Sequence, residues 1–253
     1  MNIFKSLFTV LFLVAVFICP NFAFAQDDDY SAERTLLLDT DLIDVPTAGT
    51  LDYYGLGLKT RFFSQGGVLA HLTFGVLPRL NLGASVTIER LVGDAEPVRL
   101  VRPEIQVKFR FYDGTTILPM LAIGYDGQGY YYNPDSKRFS QERRGLYLVG
   151  SKEIIIPNLY LHPGVSFADF DSEDIYGFVS ANFVIQDAVA LMAEWDHIQS
   201  LDDSRVNLGL RFYITPFFHC DFAVRSVGKD DEFEDGTRHR SERVAIIRYH
   251  TTF

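Results

Sequence analysis

From about residue 50 onward, apolar and polar side chains alternate in segments of roughly 10 to 13 residues, separated by turn-forming residues. The clearest segment is Pro103 to Tyr112. Ile105, Val107, Phe109 and Phe111 take one side of the period; Glu104, Gln106, Lys108, Arg110 and Tyr112 take the other. Arg205 to Ile214 repeats the pattern, with Val206, Leu208, Leu210, Phe212 and Ile214 set against Arg205, Asn207, Gly209, Arg211 and Tyr213. A period of two sends successive side chains to opposite faces of a strand. Twelve strands are predicted, over residues 50–63, 67–77, 80–91, 98–112, 115–127, 145–155, 158–169, 174–185, 188–199, 204–215, 217–227 and 242–253. No segment has a helical period with caps. The pattern predicts an all-β fold: a single antiparallel transmembrane β-barrel over residues 49–253, apolar toward lipid and polar toward its lumen.

The connections alternate in length. Leu77-Pro78-Arg79, Asp113-Gly114, Ile156-Pro157-Asn158, Gln186-Asp187 and Thr215-Pro216 read as tight turns. Between them fall longer polar loops, the largest being Tyr125 to Arg144 and Gly228 to Ser241, with Gln199 to Ser204 intermediate. The only short member of that set is Ser64-Gln65-Gly66-Gly67. Outer-membrane barrels carry short periplasmic turns and long external loops. On that rule both termini are expected in the periplasm of a cell with an outer membrane.

The beginning of the chain supports export. Lys5 supplies a positive n-region, Leu7 to Cys19 an apolar h-region, and Ala23-Phe24-Ala25 a small-x-small cleavage site, so residues 1–25 read as a signal peptide. A lipoprotein reading of Cys19 is disfavoured by bulky Ile18 before it. The formal charge is −10, and removal of Lys5 makes it −11 (22 cations against 33 anions). An acidic chain is a poor partner for nucleic acid. Only Cys220 would then remain, so no disulfide framework is expected. No later stretch is apolar enough for a transmembrane helix. Residues 26–48 are acidic, with an apolar patch at Leu36-Leu37-Leu38. They read as a periplasmic N-terminal segment, either a free tail or a plug folded into the lumen.

The last strand ends on Phe253, and steps of two back from it give Thr251, Tyr249, Ile247 and Ala245. A terminal aromatic with apolar or neutral residues at alternate positions resembles the membrane-insertion signal read by the barrel-insertion machinery. Such a strand can add to a sheet edge of that machinery.

Three further stretches, Val45-Pro46-Thr47-Ala48-Gly49, Gly75 to Gly83 (GVLPRLNLG) and Ile123 to Gly129 (IGYDGQG), resemble a family of bacterial outer-membrane β-barrel proteins associated with exopolysaccharide biosynthesis and export. The resemblance covers nearly the whole mature chain. It implies the barrel and the outer membrane, and no catalytic residue.

Charge facing lipid at mid-depth costs about 2–4 kcal/mol, so charged positions within strands are assigned to the lumen. By parity these are Lys59, Arg61, His71, Glu89, Glu104, Lys108, Arg110, Glu194, Asp196, Arg205, Arg211, Asp221, Arg225, Arg248 and His250. They would form either a path for a charged solute or a salt-bridge network filling a barrel intermediate between eight-stranded barrels and open porins. His162-Pro163-Gly164-Val165-Ser166 is the nearest string to a nucleophile and base, but four strand residues separate the two by roughly 13 Å, outside hydrogen-bond reach. No catalytic residue, metal site or cofactor is predicted. His219 with Asp221, and Arg248 with His250, lack a third ligand. Asp202-Asp203 and the acidic run from Asp230 to Asp235 lack EF-hand spacing and read as solvated loops. Tyr130, Tyr131 and Tyr132 are expected in an external loop, at the membrane interface or stacked on sugars. Trp195 is expected in the same interfacial girdle.

The expected role is non-enzymatic passage, docking or support at the outer membrane, including exopolysaccharide export. A narrow porin for small charged solutes and a structural or adhesive barrel acting through its loops are the alternatives, with a lipid-modifying enzyme behind them. The expected partners are outer-membrane lipid and lipopolysaccharide, the insertion machinery, and a polysaccharide or small charged solute.

Overall fold

The computed structural model describes residues 39–93, 97–141, 143–168, 174–200, 203–233, 236 and 238–251. The expected signal peptide, the Leu36–Leu38 patch and Phe253 lie outside them.

Among the described residues fifteen strands form in chain order: β1 (Leu56–Phe63), β2 (Gly67–Leu77), β3 (Leu80–Glu89), β4 (Arg99–Leu100), β5 (Glu104–Tyr112), β6 (Met120–Asp126), β7 (Tyr130–Asn133), β8 (Arg138–Gln141), β9 (Gly145–Glu153), β10 (Leu159–Phe167), β11 (Tyr176–Ile185), β12 (Val189–Ile198), β13 (Arg205–Thr215), β14 (Phe218–Glu232) and β15 (Arg238–Thr251). Twelve of them close an antiparallel barrel, because β1 pairs with β2 on one side and with β15 on the other. β4 is a two-residue extension against β3, and β7–β8 is a separate hairpin.

Closure follows from the period of two. In β12 the buried residues are Ala190, Met192, Glu194 and Asp196, while Leu191 and Trp195 are exposed. Leu72, Ile105, Phe109, Leu148, Leu208, Phe222, Ile247 and Tyr249 stand on outward positions of other strands, each exposed by 40% or more. Large apolar groups outside and arginines inside invert a water-soluble fold and match a barrel that crosses lipid. Ala245, Ile247 and Tyr249 share this outward face.

Turn chemistry sets the register at one end. Pro78 and Arg79 (φ 69°) join β2 to β3, and Gln186 (φ 50°) and Asp187 (φ 55°) join β11 to β12. Two successive positive φ values at the centre of the latter turn, closed by Ala188 N–H donating to Ile185 O at 3.0 Å, give it the twist that suits a hairpin.

Several boundaries differ from expectation. The strand expected over 98–112 breaks into β4 and β5 at Arg102-Pro103, since Pro103 has no N–H for the ladder. The strand expected over 115–127 starts at Met120: the turn at Asp113-Gly114 runs on to Pro119, closed by Thr115, whose hydroxyl accepts from Leu118 N–H at 2.9 Å. The expected loop from Gly228 to Ser241 is largely strand. β14 and β15 continue past a bulge, and Asp230 and Asp231 meet Arg240 and His239 at 3.1 and 2.8 Å. Asp230 therefore has a cationic partner across the hairpin, and Asp231 an imidazole partner.

Candidate functional site: an arginine-lined lumen and its plug

The largest departure from expectation lies inside the barrel. Residues 39–50 form a hairpin within the lumen. Leu42, Ile43, Val45, Thr47 and Ala48 are fully buried. Asp41 bridges to Pro46, Leu42 N–H donates to Val45 O at 3.0 Å, and Thr47 N–H to Thr40 O at 3.1 Å. Asp39 lies at the short-turn end, beside Tyr213 and His219. The chain reaches Asp44, reverses, and returns to Tyr54 against Gly75 at that same end. Over its described part, then, the segment expected over 26–48 as a tail or a plug is a plug.

Its polar groups meet the inward side chains in layers. Nearest the short turns, Arg211 makes a bidentate pair with Asp221 (2.8 and 2.8 Å) and a contact to Asp39 at 2.5 Å. Arg248 joins the layer through Asp221 at 2.7 Å and also holds Asp41 and Leu42 O. Lys59 pairs with Asp41. In the next layer the Asp44 carboxylate is shared between Arg61 and Arg225, each at 2.6 Å. Arg225 continues to Glu242 at 2.6 Å. Nearest the long loops, Asp196 takes both guanidinium nitrogens of Arg144 at 3.0 Å and one of Arg205 at 3.3 Å. Burial favours the protonated form of Asp41 and Asp44. It is overridden by Arg248 and Lys59 at Asp41, and by Arg225 and Arg61 at Asp44, so both carboxyls stay well below the usual range.

Glu194 supplies the most directional contact. Its carboxylate accepts from three consecutive backbone N–H groups, those of Ile43 (2.7 Å), Asp44 (3.0 Å) and Val45 (2.9 Å), and from the Asn207 amide at 2.7 Å. Successive N–H groups converging on one anion form a nest. Here the anion is the wall and the nest is the plug.

The lumen has two unlike walls. Inward positions of the contiguous strands β13, β14, β15 and β1 carry six cations, Arg205, Arg211, Arg225, Arg248, Lys59 and Arg61, against two anions, Asp221 and Glu242. The opposite arc, β9 to β11, faces inward with Tyr147, Val149, Ser151, His162, Phe178, Ser180 and Asn182. Val45 and Ala48 pack there against Ala122, Tyr147, Val149 and Phe178. Ala48 N–H donates to Ser151 Oγ at 2.7 Å; that hydroxyl meets His162 Nδ1 at 2.7 Å, and His162 Nε2 meets Asn182 Oδ1 at 2.8 Å. His162 is therefore partnered by Ser151 and Asn182, and not by Ser166, in keeping with the spacing that put Ser166 out of reach. The connectivity is that of nucleophile, base and orienting group. All three residues are buried, however, and Ala48 sits on the hydroxyl, so the chain acts as an anchor for the plug.

The remaining predicted positions fall at the ends. Glu104 is buried near the long loops and pairs with Arg102 at 2.5 Å. Glu89 pairs with Arg99 at 3.5 Å. Arg110 lies at the short-turn rim with Asp113 at 3.0 Å. Lys108 donates to two plug carbonyls, Thr40 O and Gly49 O, the second at 3.2 Å.

The tyrosine run departs from expectation. Tyr130 turns inward: its hydroxyl reaches Asp44 at 3.2 Å and contacts Arg61, and Arg225 stacks on its ring at 4.0 Å. Tyr131 packs on Phe233 and Tyr132 on Phe139. The run thus belongs to the β7–β8 hairpin, with Tyr130 capping the plug rather than facing lipid. Asp39, Asp41, Asp44, Glu242, Asn207 and Ser151 were not foreseen, and Tyr130 was foreseen only as an external-loop aromatic. Strand parity carries a signal for Glu242, Asn207 and Ser151, whose inward positions follow from the same alternation; the aspartates lie outside any alternating segment.

An apolar, closed exterior around a plugged, charge-lined lumen defines a transmembrane β-barrel of outer-membrane porin architecture. Among solved structures, the chain is similar to the KdgM porin at 9% identity and a TM-score of 0.50, covering 79% of this chain and 99% of that one. It is also similar to an outer membrane channel from Pseudomonas putida F1 (9% identity, TM-score 0.46, 80% and 97% covered) and to the NanC porin (9%, 0.43, 78% and 100%). No family model and no curated protein sequence matches the chain.

Proposed function

We propose that this chain is an outer-membrane channel, closed at rest by its own N-terminal hairpin, for small anionic solutes. The carrying observation is where the neutralising charge resides. The strip from β13 to β1 has a net inward charge of +4 (six cations less two anions); Asp196 of the neighbouring β12 meets Arg205, and Asp39, Asp41 and Asp44 of the plug meet the remaining cations. A sealed structural network balances its charge within the wall. Here Asp39, Asp41 and Asp44 sit on a separate segment, held by contacts that an entering anion can replace. The short turns are assigned to the periplasm, the side from which the hairpin enters, and the long loops to the exterior. Exopolysaccharide export would draw on the same strip if the polymer were acidic. The small-solute form is favoured because Tyr130 and the hairpin occupy the lumen and leave a void of about 140 Å³ beside the plug.

The test is the reversal potential of protein lacking residues 39–50, measured in planar bilayers across a potassium chloride gradient. Anion selectivity is expected. Cation selectivity, or none, would remove the basis for the assignment.

A further inference from the structure

The connection from β6 to β9 folds across the long-loop mouth as the β7–β8 hairpin, and no ladder joins that hairpin to the barrel among the described residues. On one side its last backbone tie to the wall is Gly127 N–H donating to Ile105 O at 3.1 Å. On the other, the barrel resumes at Gly145 (φ 67°), paired with Asp126. Between those two glycines side chains hold the hairpin in place. Its outer face rests on two separated parts of the rim. Arg102, beside β5, lies over the Phe139 ring at 5.8 Å, and Tyr131 packs on Phe233, just past β14, at 5.9 Å. Small residues at both junctions and the lack of ladder bonds to the wall are what a segment that moves as a unit requires.

The inner face of the same hairpin meets the tip of the plug. The Tyr130 hydroxyl donates to Asp44 Oδ1 at 3.2 Å and accepts from Arg61. The guanidinium carbons of Arg225 and Arg61 lie 4.0 and 5.1 Å from the centre of its ring. Gln141, 4% exposed, accepts from Arg225 at 3.2 Å, and Arg144, just before the second junction, donates to Asp44 O at 3.2 Å. Arg61 and Arg225 also clasp the Asp44 carboxylate, each at 2.6 Å. Plug and hairpin therefore share one buried cluster. Withdrawing Asp44 leaves two guanidiniums against one ring, and of these Glu242 pairs with Arg225. Lifting the hairpin lets water reach the Asp44 pairs, and water weakens an ion pair that burial keeps strong. Each movement removes partners that the other element needs, which is a coupling free energy between the two.

We propose that the β7–β8 hairpin is a lid whose opening is coupled to that of the plug through Asp44, Arg61, Arg225 and Tyr130. Loosening either element loosens the other, so the passage has two gates in series that respond together. The gating role rests on the channel reading; the coupling rests on the shared contacts alone.

Amide hydrogen exchange in the full mature chain, folded in detergent, reads both elements at once. A two-stranded hairpin alone is marginal in water, so a lifted lid exposes the amides of β7 and β8. Glu194→Gln and Ser151→Ala alter wall residues whose hydrogen bonds go to the plug and to the wall. Each should speed exchange at Ile43 to Val45 and, with it, exchange in β7 and β8, by at least about five-fold. Phe139→Ala acts from the other side, on a ring whose contacts are Tyr132 and Arg102. It should speed exchange at Ile43 to Val45 by a similar factor. The β11–β12 turn, closed by Ala188 N–H on Ile185 O, should exchange as before in all three. In the chain lacking residues 39–50, exchange in β7 and β8 should rise about ten-fold or more. Heat-modifiable migration identifies the variants that fold. Lid protection unchanged in that chain and in every variant whose plug loosens would overturn the coupling. So would plug protection unchanged once Phe139→Ala has loosened the lid. The two readings fail separately: coupled exchange without anion selectivity retains the paired gates and removes the solute assignment, whereas anion selectivity with independent exchange retains the channel and leaves the lid out of its gating.

Discussion

The two walls of the lumen hold the same plug in different ways. The strip from β13 to β1 grips it with charge: Arg211, Arg248, Arg61 and Arg225 against Asp39, Asp41 and Asp44. The arc from β9 to β11 grips it by packing Val45 and Ala48, with one hydrogen bond into the Ser151–His162–Asn182 chain. Ion pairs exchange with incoming anions, whereas apolar packing is indifferent to them. A solute that competes for the first wall would therefore loosen the plug while the second still guides its return.

That contrast can be broken at several strengths. The largest effect is expected for Asp44→Asn, which leaves Arg61 and Arg225 without their shared carboxylate. Breaking a buried pair from one side costs about 3–5 kcal/mol, so the plug should open and conductance should rise sharply in single-channel recordings. Glu194→Gln is next. The three N–H groups converge on one oxygen, Oε1, so the amide keeps an acceptor there but loses the negative charge, and its NH2 is set against the Asn207 amide that donated to Oε2, at about 1.5–3 kcal/mol per charged hydrogen bond. Faster hydrogen exchange at the amides of Ile43 to Val45 would report it, and unchanged protection would refute the nest as a latch. On the opposite wall, Ser151→Ala removes one acceptor from Ala48 N–H. A loss of about 1–3 kcal/mol in plug closure is expected, without any change in ion selectivity. Smallest is Asp230→Asn, whose partner Arg240 is exposed beyond the barrel; the denaturation midpoint should shift by less than about 1 kcal/mol.

The charged grip also fixes a pH response. Asp41 and Asp44 have lowered pKa values, so their contribution to closure is complete above the ordinary aspartate value of about 4. It is lost only as pH falls through the lowered values. The ion pairs of Asp41 and Asp44 are thus expected to hold at both pH 7 and about pH 5. Opening between them would point to a group other than these aspartates.

The barrel was legible because lipid and lumen write themselves into every second residue. Ile105 and Lys108 are assigned to opposite faces from parity alone, and the strand count follows from the turns. The plug was not legible to that degree. Asp39 to Gly49 has no period, and its burial depends on partners such as Arg248, 207 positions from Asp41. Tyr130 was misassigned for a related reason. Its type favours a membrane interface, but Arg225 and Asp44 together offer it a cation and an acceptor inside. His162 found Ser151 and Asn182 across two strand pairings, partners that local spacing, which only excluded Ser166, could not supply.

Closure by the N-terminal hairpin is tested most directly by single-channel conductance of the folded mature chain beside the same chain lacking residues 39–50. The intact protein should remain closed or nearly so, and the deletion should conduct in steady open steps. Equal conductance from the two would contradict the plug as the element that closes this barrel.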